Sequence, residues 1–136
     1  MLEFAIGAGV LLAAFTGTFQ FGYTFFQYNR LTNAVDAGAR YAAQRPYDSA
    51  NTSPSSAFLT AVRNMVVYGN PAGGSTPVVQ GLQPQHVQLT VQFRNAVPAF
   101  MSVEVHGYTI NAVMGAIQCN HKPKVTHSYL GVWMPY

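Results

Sequence analysis

The stretch that decides the fold is residues 4–29, FAIGAGVLLAAFTGTFQFGYTFFQYN, in which 26 consecutive residues carry no formal charge. A helix of about 20 apolar residues crosses the hydrocarbon core of a bilayer. The stretch is rich in Phe, Leu, Ala and Gly and contains no proline. It therefore predicts a helix that is apolar on all sides and that lies in a membrane or among other protein chains.

The helical pattern continues beyond this stretch, where it becomes amphipathic. Asp36 and Arg40 are four residues apart and are expected to pair on one face. Pro46 ends the pattern, because the residue before a proline is disfavoured in the helical conformation. We predict one helix from about Leu2 to Gln44, roughly 65 Å long at 1.5 Å per residue, about twice what a membrane needs. Apolar residues recur along its second half at Leu31, Ala34, Val35, Gly38, Ala39, Ala42 and Ala43.

The composition supports a chain that is surrounded by lipid or protein. Charged residues make up 8% of the 136 residues, against about 25% in an average soluble domain. The seven Lys and Arg residues are scattered and form no basic stripe with interleaved aromatics, so we expect no nucleic-acid partner. Cys119 is the single cysteine, so no disulfide within the chain contributes to stability.

Small residues recur every four positions in the apolar helix, at Ala5, Gly9, Ala13 and Gly17. Small residues at this spacing allow another helix to approach closely. Gly and Ala are also common in apolar segments generally. The spacing therefore favours a packing face and leaves composition as the alternative.

Glu3 lies at the start of the apolar helix, and no Lys or Arg precedes it. A signal peptide or membrane anchor usually begins with a basic stretch, so we expect that a leader has already been removed. A carboxylate next to so many uncharged residues needs a partner when it is buried. The N-terminal amine of Met1 in a neighbouring chain would provide one. Alternatively, Glu3 lies solvated in the headgroup region.

The remaining residues predict a small α+β head. Helical spacing over Ala57 to Tyr68 predicts a short helix with a Ser55 or Ser56 cap, ended by Gly69. Strict alternation over His86 to Arg94 predicts a half-buried strand. After a turn over residues 95–98, we expect a second, antiparallel strand to about Asn111 and a possible edge strand over 125–133. We predict residues 1–45 as the helix and 46–136 as a head in which the short helix packs on a three- to four-stranded antiparallel sheet.

Candidate chemistry in the head is sparse. Cys119, His121 and His127 are close in sequence, but zinc needs three or four ligands in tetrahedral geometry. A Cys119–His121 nucleophilic pair would need a third orienting group. We therefore expect no enzyme activity, no metal site and no cofactor. Asn51-Thr52-Ser53 fits a glycosylation acceptor, although an exposed loop over 46–56 explains the same residues.

Several segments together resemble the TadE-like pilins of tight-adherence (Tad) systems, within the type IV pilin superfamily. The resemblance covers residues 2 to about 112. The segments are Leu2-Glu3-Phe4-Ala5, the long apolar helix, Phe21-Gly22, residues 28–43, residues 61–71, Gly81-Leu82 and residues 105–108.

The resemblance implies that a prepilin peptidase removes a short leader and leaves a carboxylate near the new N-terminus, which Glu3 matches. Type IV pilins usually carry this residue in fifth position, whereas here it is third. The family often has an acidic residue before Phe-Gly and a basic one after it, where this chain has Gln20 and Tyr23. The loss of charge favours burial of this part of the helix among other helices.

We therefore predict a pilin subunit that polymerises with copies of itself through Glu3, Ala5, Gly9, Ala13, Gly17 and the Met1 amine. The filament would be extracellular and would serve adhesion or surface colonisation, and the inner membrane would hold the subunit before the pilus assembly machinery acts. One alternative is a minor pilin or pseudopilin retained at the inner membrane. Others are a membrane-tethered binding module that does not polymerise and an exported enzyme.

Overall fold

The computed structural model describes residues 2–112 and 115–134. Its dominant element is helix α1, Leu2–Gln44, as predicted. Its two halves have different surroundings. In the exposed half, residues 3–30, the large apolar side chains of Phe4, Phe15 and Phe21 are 71–80% exposed. In the buried half, residues 31–44, Leu31, Val35, Ala39 and Ala42 have no exposed surface.

The buried half of α1 is part of the hydrophobic core of the head. It contacts helix α2, Ser56–Tyr68, and crosses the sheet of the head. Where the two helices meet, a Cβ atom on Gly38 would overlap Cγ2 of Val66. The amphipathic pattern after Leu31 therefore reflects packing within one chain, and the absence of a side chain at position 38 allows the two helices to approach closely.

Helix α2 has a cap at each end. The Ser55 hydroxyl accepts a hydrogen bond from the Phe58 backbone N–H at 3.1 Å, and it also bonds the carboxylate of Asp48. At the other end, Gly69 adopts a left-handed conformation with φ 69°, and its N–H donates to the Met65 carbonyl. The predicted cap at Ser55 and helix end at Gly69 are both confirmed.

Among the described residues, five strands form two antiparallel sheets. The strands are β1 (Val87–Arg94), β2 (Val97–Val105), β3 (Tyr108–Ala112), β4 (Gly115–Cys119) and β5 (Lys124–Ser128). One sheet has the order β1-β2-β5, and the other consists of β3 and β4. The predicted α+β class, with a short helix and a small antiparallel sheet behind a long helix, is confirmed.

Three strand predictions need correction. The turn predicted over residues 95–98 contains only Asn95 and Ala96, both with positive φ, so Val97 and Pro98 already belong to β2. The second strand does not run to Asn111, because the chain turns at Gly107 with φ 67° and β3 joins a separate sheet. The edge strand predicted over 125–133 is shorter and begins one residue earlier, as β5.

The segment after β5 closes the far end of α1. The backbone N–H groups of Leu130 and Gly131 both donate to the carbonyl of Ala43. The indole of Trp133 donates to the carbonyl of Ser49 at 3.0 Å. The first two bonds satisfy a carbonyl that the helix end leaves unpaired, and all three fix residues 130–133 to the end of α1 and the loop after it.

Candidate assembly interface

The exposed half of α1 presents bulky apolar side chains over most of its circumference. Such a surface is unfavourable in water, because apolar area costs about 25 cal/mol for each Å² left exposed. It is much larger than the apolar patches of soluble monomers. The exposed side chains along this half are Phe4, Ile6, Val10, Leu11, Leu12, Phe15, Phe19, Phe21, Phe25 and Phe26, each at least 54% exposed.

The four small residues predicted as a packing face lie on this exposed half. Ala5, Gly9, Ala13 and Gly17 are all exposed, and no atom of the chain lies within 4 Å of a Cβ atom built on Gly9 or Gly17. The fold of the isolated chain therefore does not explain why these positions are small. Gly7 is equally open, but it lies about 140° around the helix from the centre of the stripe.

Glu3 is exposed in the first turn of α1. A carboxylate at this end of a helix interacts favourably with the helix dipole. The predicted partner, the amine of Met1 in a neighbouring chain, lies outside the described residues. The structure therefore places the acidic side chain at the start of the apolar surface.

The exposed half also has one polar face, which turns toward the head. Gln20, Thr24 and Gln27 are partly buried along it. Within the described part of the chain, the side-chain carbonyl oxygens of Gln20 and Gln27 are buried without a hydrogen-bond partner. Gln27 and Tyr23 line a cavity of about 470 Å³ between α1 and strand β3. Gln20, at the position where the family often has an acidic residue, is thus partly buried within its own chain, and the structure does not test the predicted burial among other helices.

Arg30 marks the boundary between the two halves of α1. It is exposed, and its guanidinium carbon lies 5.7 Å from the centre of the Phe26 ring. The next residue, Leu31, is fully buried. Arg30 is also the first basic side chain after Glu3 in the sequence.

The structure separates the residues considered for metal binding or nucleophilic chemistry. The Nδ1 atom of His121 lies 2.9 Å from the carboxylate of Glu104, whereas His127 pairs with Asp36 at 2.8 Å. Cys119 is buried, and burial raises the pKa of its thiol, which lowers its reactivity. Over residues 2–112 and 115–134, no three His, Cys, Asp or Glu side chains are grouped so as to hold a metal ion.

The Glu104 carboxylate is the most strongly paired charge of the head. It is 10% exposed and accepts from His121 and from Lys124, whose Nζ atom lies 3.1 Å away. The hydrogen bond from His121 lowers the pKa of Glu104 more than burial raises it, and Lys124 adds to the effect. This pairing joins β2 to β5 and to the segment before β5, so its role is structural.

In the part of the chain that the structure covers, one helix is long and apolar enough to cross a membrane. It is Glu3–Gln44, with a mean hydropathy of 1.6 in its most apolar part. A long, exposed apolar helix whose second half is embedded in a small α+β head is the architecture that the resemblance to pilins implies. Such a helix is consistent with association with a membrane or the cell surface.

The N-terminal part of the chain matches a known protein family. Residues 1–40 match the model of the TadE-like protein family. The predicted resemblance to the TadE-like proteins of Tad systems is confirmed through this match, and residues beyond 40 lie outside it. The chain is thus similar to TadE-like proteins over its N-terminal apolar helix. No curated protein and no solved structure matches it.

Proposed function

We propose that this chain is a structural pilin subunit that polymerises through the exposed half of α1 into an extracellular filament for adhesion or surface colonisation. The observation that carries the proposal is the contrast along one continuous helix. Residues 31–44 pack in the head of their own chain, whereas the bulky side chains of residues 4–26 remain exposed. In a filament, the exposed halves of many copies would cover one another.

The driving force for this assembly would come from packing. Before assembly the exposed half would lie in the inner membrane, where lipid tails are as apolar as the neighbouring helices. Moving from lipid to a helical bundle therefore gains little from hydrophobicity. Close helix contact along Ala5, Gly9, Ala13 and Gly17 would supply dispersion energy that lipid does not. The open space beside both glycines supports this part of the proposal.

The charged start of the helix would be matched within the bundle. In this proposal a prepilin peptidase removes a leader, and the Met1 amine that results neutralises Glu3 of a neighbouring subunit. Two opposite charges that are buried together cost far less than one that is buried alone. The proposed partners are other copies of the chain, the prepilin peptidase and the pilus assembly machinery, with the inner membrane holding the subunit before assembly. The subunit acts as a structural element, without enzyme activity or a cofactor.

Electron microscopy of filaments sheared from producing cells, with mass spectrometry of the same material, tests this proposal. We expect the chain to be the main component of the filaments. If it is a trace component and remains in the inner membrane fraction, it is a minor pilin or pseudopilin. If the processed chain is a soluble monomer without detergent, the proposal fails, because the exposed half of α1 would then be stable in water.

A further inference from the structure

A cleft of about 260 Å³ lies between α1 and α2, where the two halves of α1 meet. Arg30 and Asn33 contribute polar groups to its lining, and both are exposed. The rest of the lining is mainly apolar, including Ala34, Ala37, Met65 and Val78. The cleft therefore offers an apolar surface with one cation beside it, and a ligand that fits it would combine an apolar side chain with an anion.

The cation of this cleft is available for an anion. Within residues 2–112 and 115–134, no carboxylate lies within 4 Å of Arg30, and its recorded contact is the Phe26 ring. Other basic residues are already engaged: Arg40 pairs with Asp36, and Lys124 pairs with Glu104. A guanidinium binds a carboxylate through two parallel hydrogen bonds, so Arg30 is well suited to such a partner.

We propose that this cleft binds the N-terminal turn of a second copy of the chain, with the Glu3 carboxylate on Arg30 and the Phe4 ring against the apolar lining. The inference rests on the proposed polymerisation through α1 and names one specific contact within it. Phe4 is 80% exposed and follows Glu3 directly. The N-terminal turn thus carries the combination of anion and apolar ring that the cleft requires.

The spacing of charges along α1 supports the same contact. Parallel helices pack 8–10 Å apart, but a head of this size has a radius of gyration of about 12–13 Å. Two parallel copies whose heads lie on the same side of the helix pair therefore cannot lie level and must be displaced along the helix axis. Arg30 lies 27 residues after Glu3, which is about 40 Å along a helix. A copy displaced by this distance brings its Glu3 level with the Arg30 of its neighbour.

Smaller displacements do not bring Glu3 to a basic side chain. They place it beside residues 4–29 of the neighbour, which carry no charge. Copies at these smaller displacements would supply the helix contacts and the Met1 amine to Glu3. The copy displaced by about 40 Å would supply Arg30. A carboxylate has two oxygens with about four acceptor sites, so it can accept hydrogen bonds from both donors.

Charge reversal tests the pairing. Arg30→Glu and Glu3→Arg are each expected to reduce the yield of sheared filaments by about tenfold or more, because a charge-assisted contact becomes a repulsion in every subunit. The double variant Glu3→Arg/Arg30→Glu is expected to give more filaments than Glu3→Arg alone, because it restores this pair, although its arginine at position 3 still faces the Met1 amine of a neighbour. Arg94→Glu is the matched control, because Arg94 is an exposed arginine in β1, outside the cleft, and it should assemble normally.

The outcomes separate this inference from the proposed function. If Arg30→Glu assembles as well as the original chain, or if the double variant gives no more filaments than Glu3→Arg alone, the pairing is overturned while the filament remains. If the unaltered chain forms no filament, the proposed function itself fails.

Cysteine cross-linking provides a measurement without charge reversal. In a Cys119→Ser chain, Phe4→Cys with Asn33→Cys should give a ladder of disulfide-linked multimers when filaments are treated with copper phenanthroline, because Asn33 lines the cleft about 3 Å along the axis from the level of Phe4. The control pair, Phe4→Cys with Ser53→Cys, places the second thiol in an exposed loop and should give no ladder. Filaments that form but give no ladder with the first pair would overturn the proposed contact.

Discussion

The Nε2 atom of His127 in β5 lies 2.8 Å from Oδ1 of Asp36 in α1, across 91 residues of sequence. The other carboxylate oxygen of Asp36 lies 2.9 Å from Nε of Arg40, one helical turn further on. The predicted pair within α1 is therefore part of a larger arrangement. Asp36 connects the long helix to the edge strand of the sheet through polar contacts as well as packing.

Removing the Asp36 carboxylate tests this connection. Asp36→Ala should lower the free energy of unfolding by about 1 kcal/mol or less, because Asp36 and His127 are both about one third exposed and such pairs are weak. Chemical denaturation of the full chain in detergent micelles would measure the change. Arg40→Ala removes only the pair within α1 and should cost about 0.3–0.5 kcal/mol. Equal losses in the two variants would mean that the His127 contact contributes nothing.

Any side chain at position 38 is expected to lower the stability of the head. Gly38→Ala should destabilise the head by about 1–3 kcal/mol, because the new methyl group overlaps Val66, a fully buried residue with little freedom to move. The higher helix propensity of Ala offsets about 1 kcal/mol of this cost. Gly22→Ala is the control, since it has the same propensity gain and open space around it. We expect Gly22→Ala to be neutral or slightly stabilising, and equal behaviour of the two variants would contradict the close helix packing.

The paired Glu104 predicts loss of stability in acid. Its pKa is lower in the folded chain than in the unfolded chain, so the folded state binds its proton more weakly. The resulting stabilisation is complete above the ordinary glutamate pKa of about 4.3 and is lost as the pH falls through the lower, folded-state pKa. Melting temperatures between neutral pH and about pH 3 should fall less steeply for Glu104→Gln than for the original chain. Parallel curves for the two proteins would show that the pairing does not stabilise the fold.

The small-residue stripe predicts a difference between assembly and folding. Gly9→Leu with Gly17→Leu should leave the head folded, because nothing in the chain lies near either position, but it should abolish filaments by separating packed helices. Gly7→Leu is the matched control on another face of α1 and should reduce assembly much less. Circular dichroism would report folding, and counts of sheared filaments would report assembly. A membrane tether that does not polymerise would be indifferent to all three substitutions.

The parts of the fold that local patterns encode could be predicted from sequence. The uncharged run, the pattern after Leu31 and the proline at position 46 predicted both ends of α1, Leu2 and Gln44. Strict alternation predicted the exposed and inward faces of β1, where Gln88 and Gln92 are exposed while Val87 and Val91 are buried. Both signals depend only on neighbouring residues, which is why a single sequence contains them.

The parts that depend on distant contacts could not be predicted in this way. Strand β4 alternates weakly, and four of its five residues are exposed, so it lacks the pattern that identifies a half-buried strand. The pairing of His127 with Asp36 joins residues that no spacing rule connects. The cleft beside Arg30 arises from packing of α1 on α2. A lone basic residue after an apolar run carries no signal that such a cleft exists.

The continuity of α1 has a mechanical consequence for any assembly built from this chain. The helix passes from its exposed half into the core of the head without a break, and the end of the chain is bonded to Ala43 and Ser49 near its far end. A load applied to the head is therefore transmitted directly along the helix, because no hinge separates the head from the exposed half of α1. Separating a head from the exposed half of its own α1 would require the head itself to unfold.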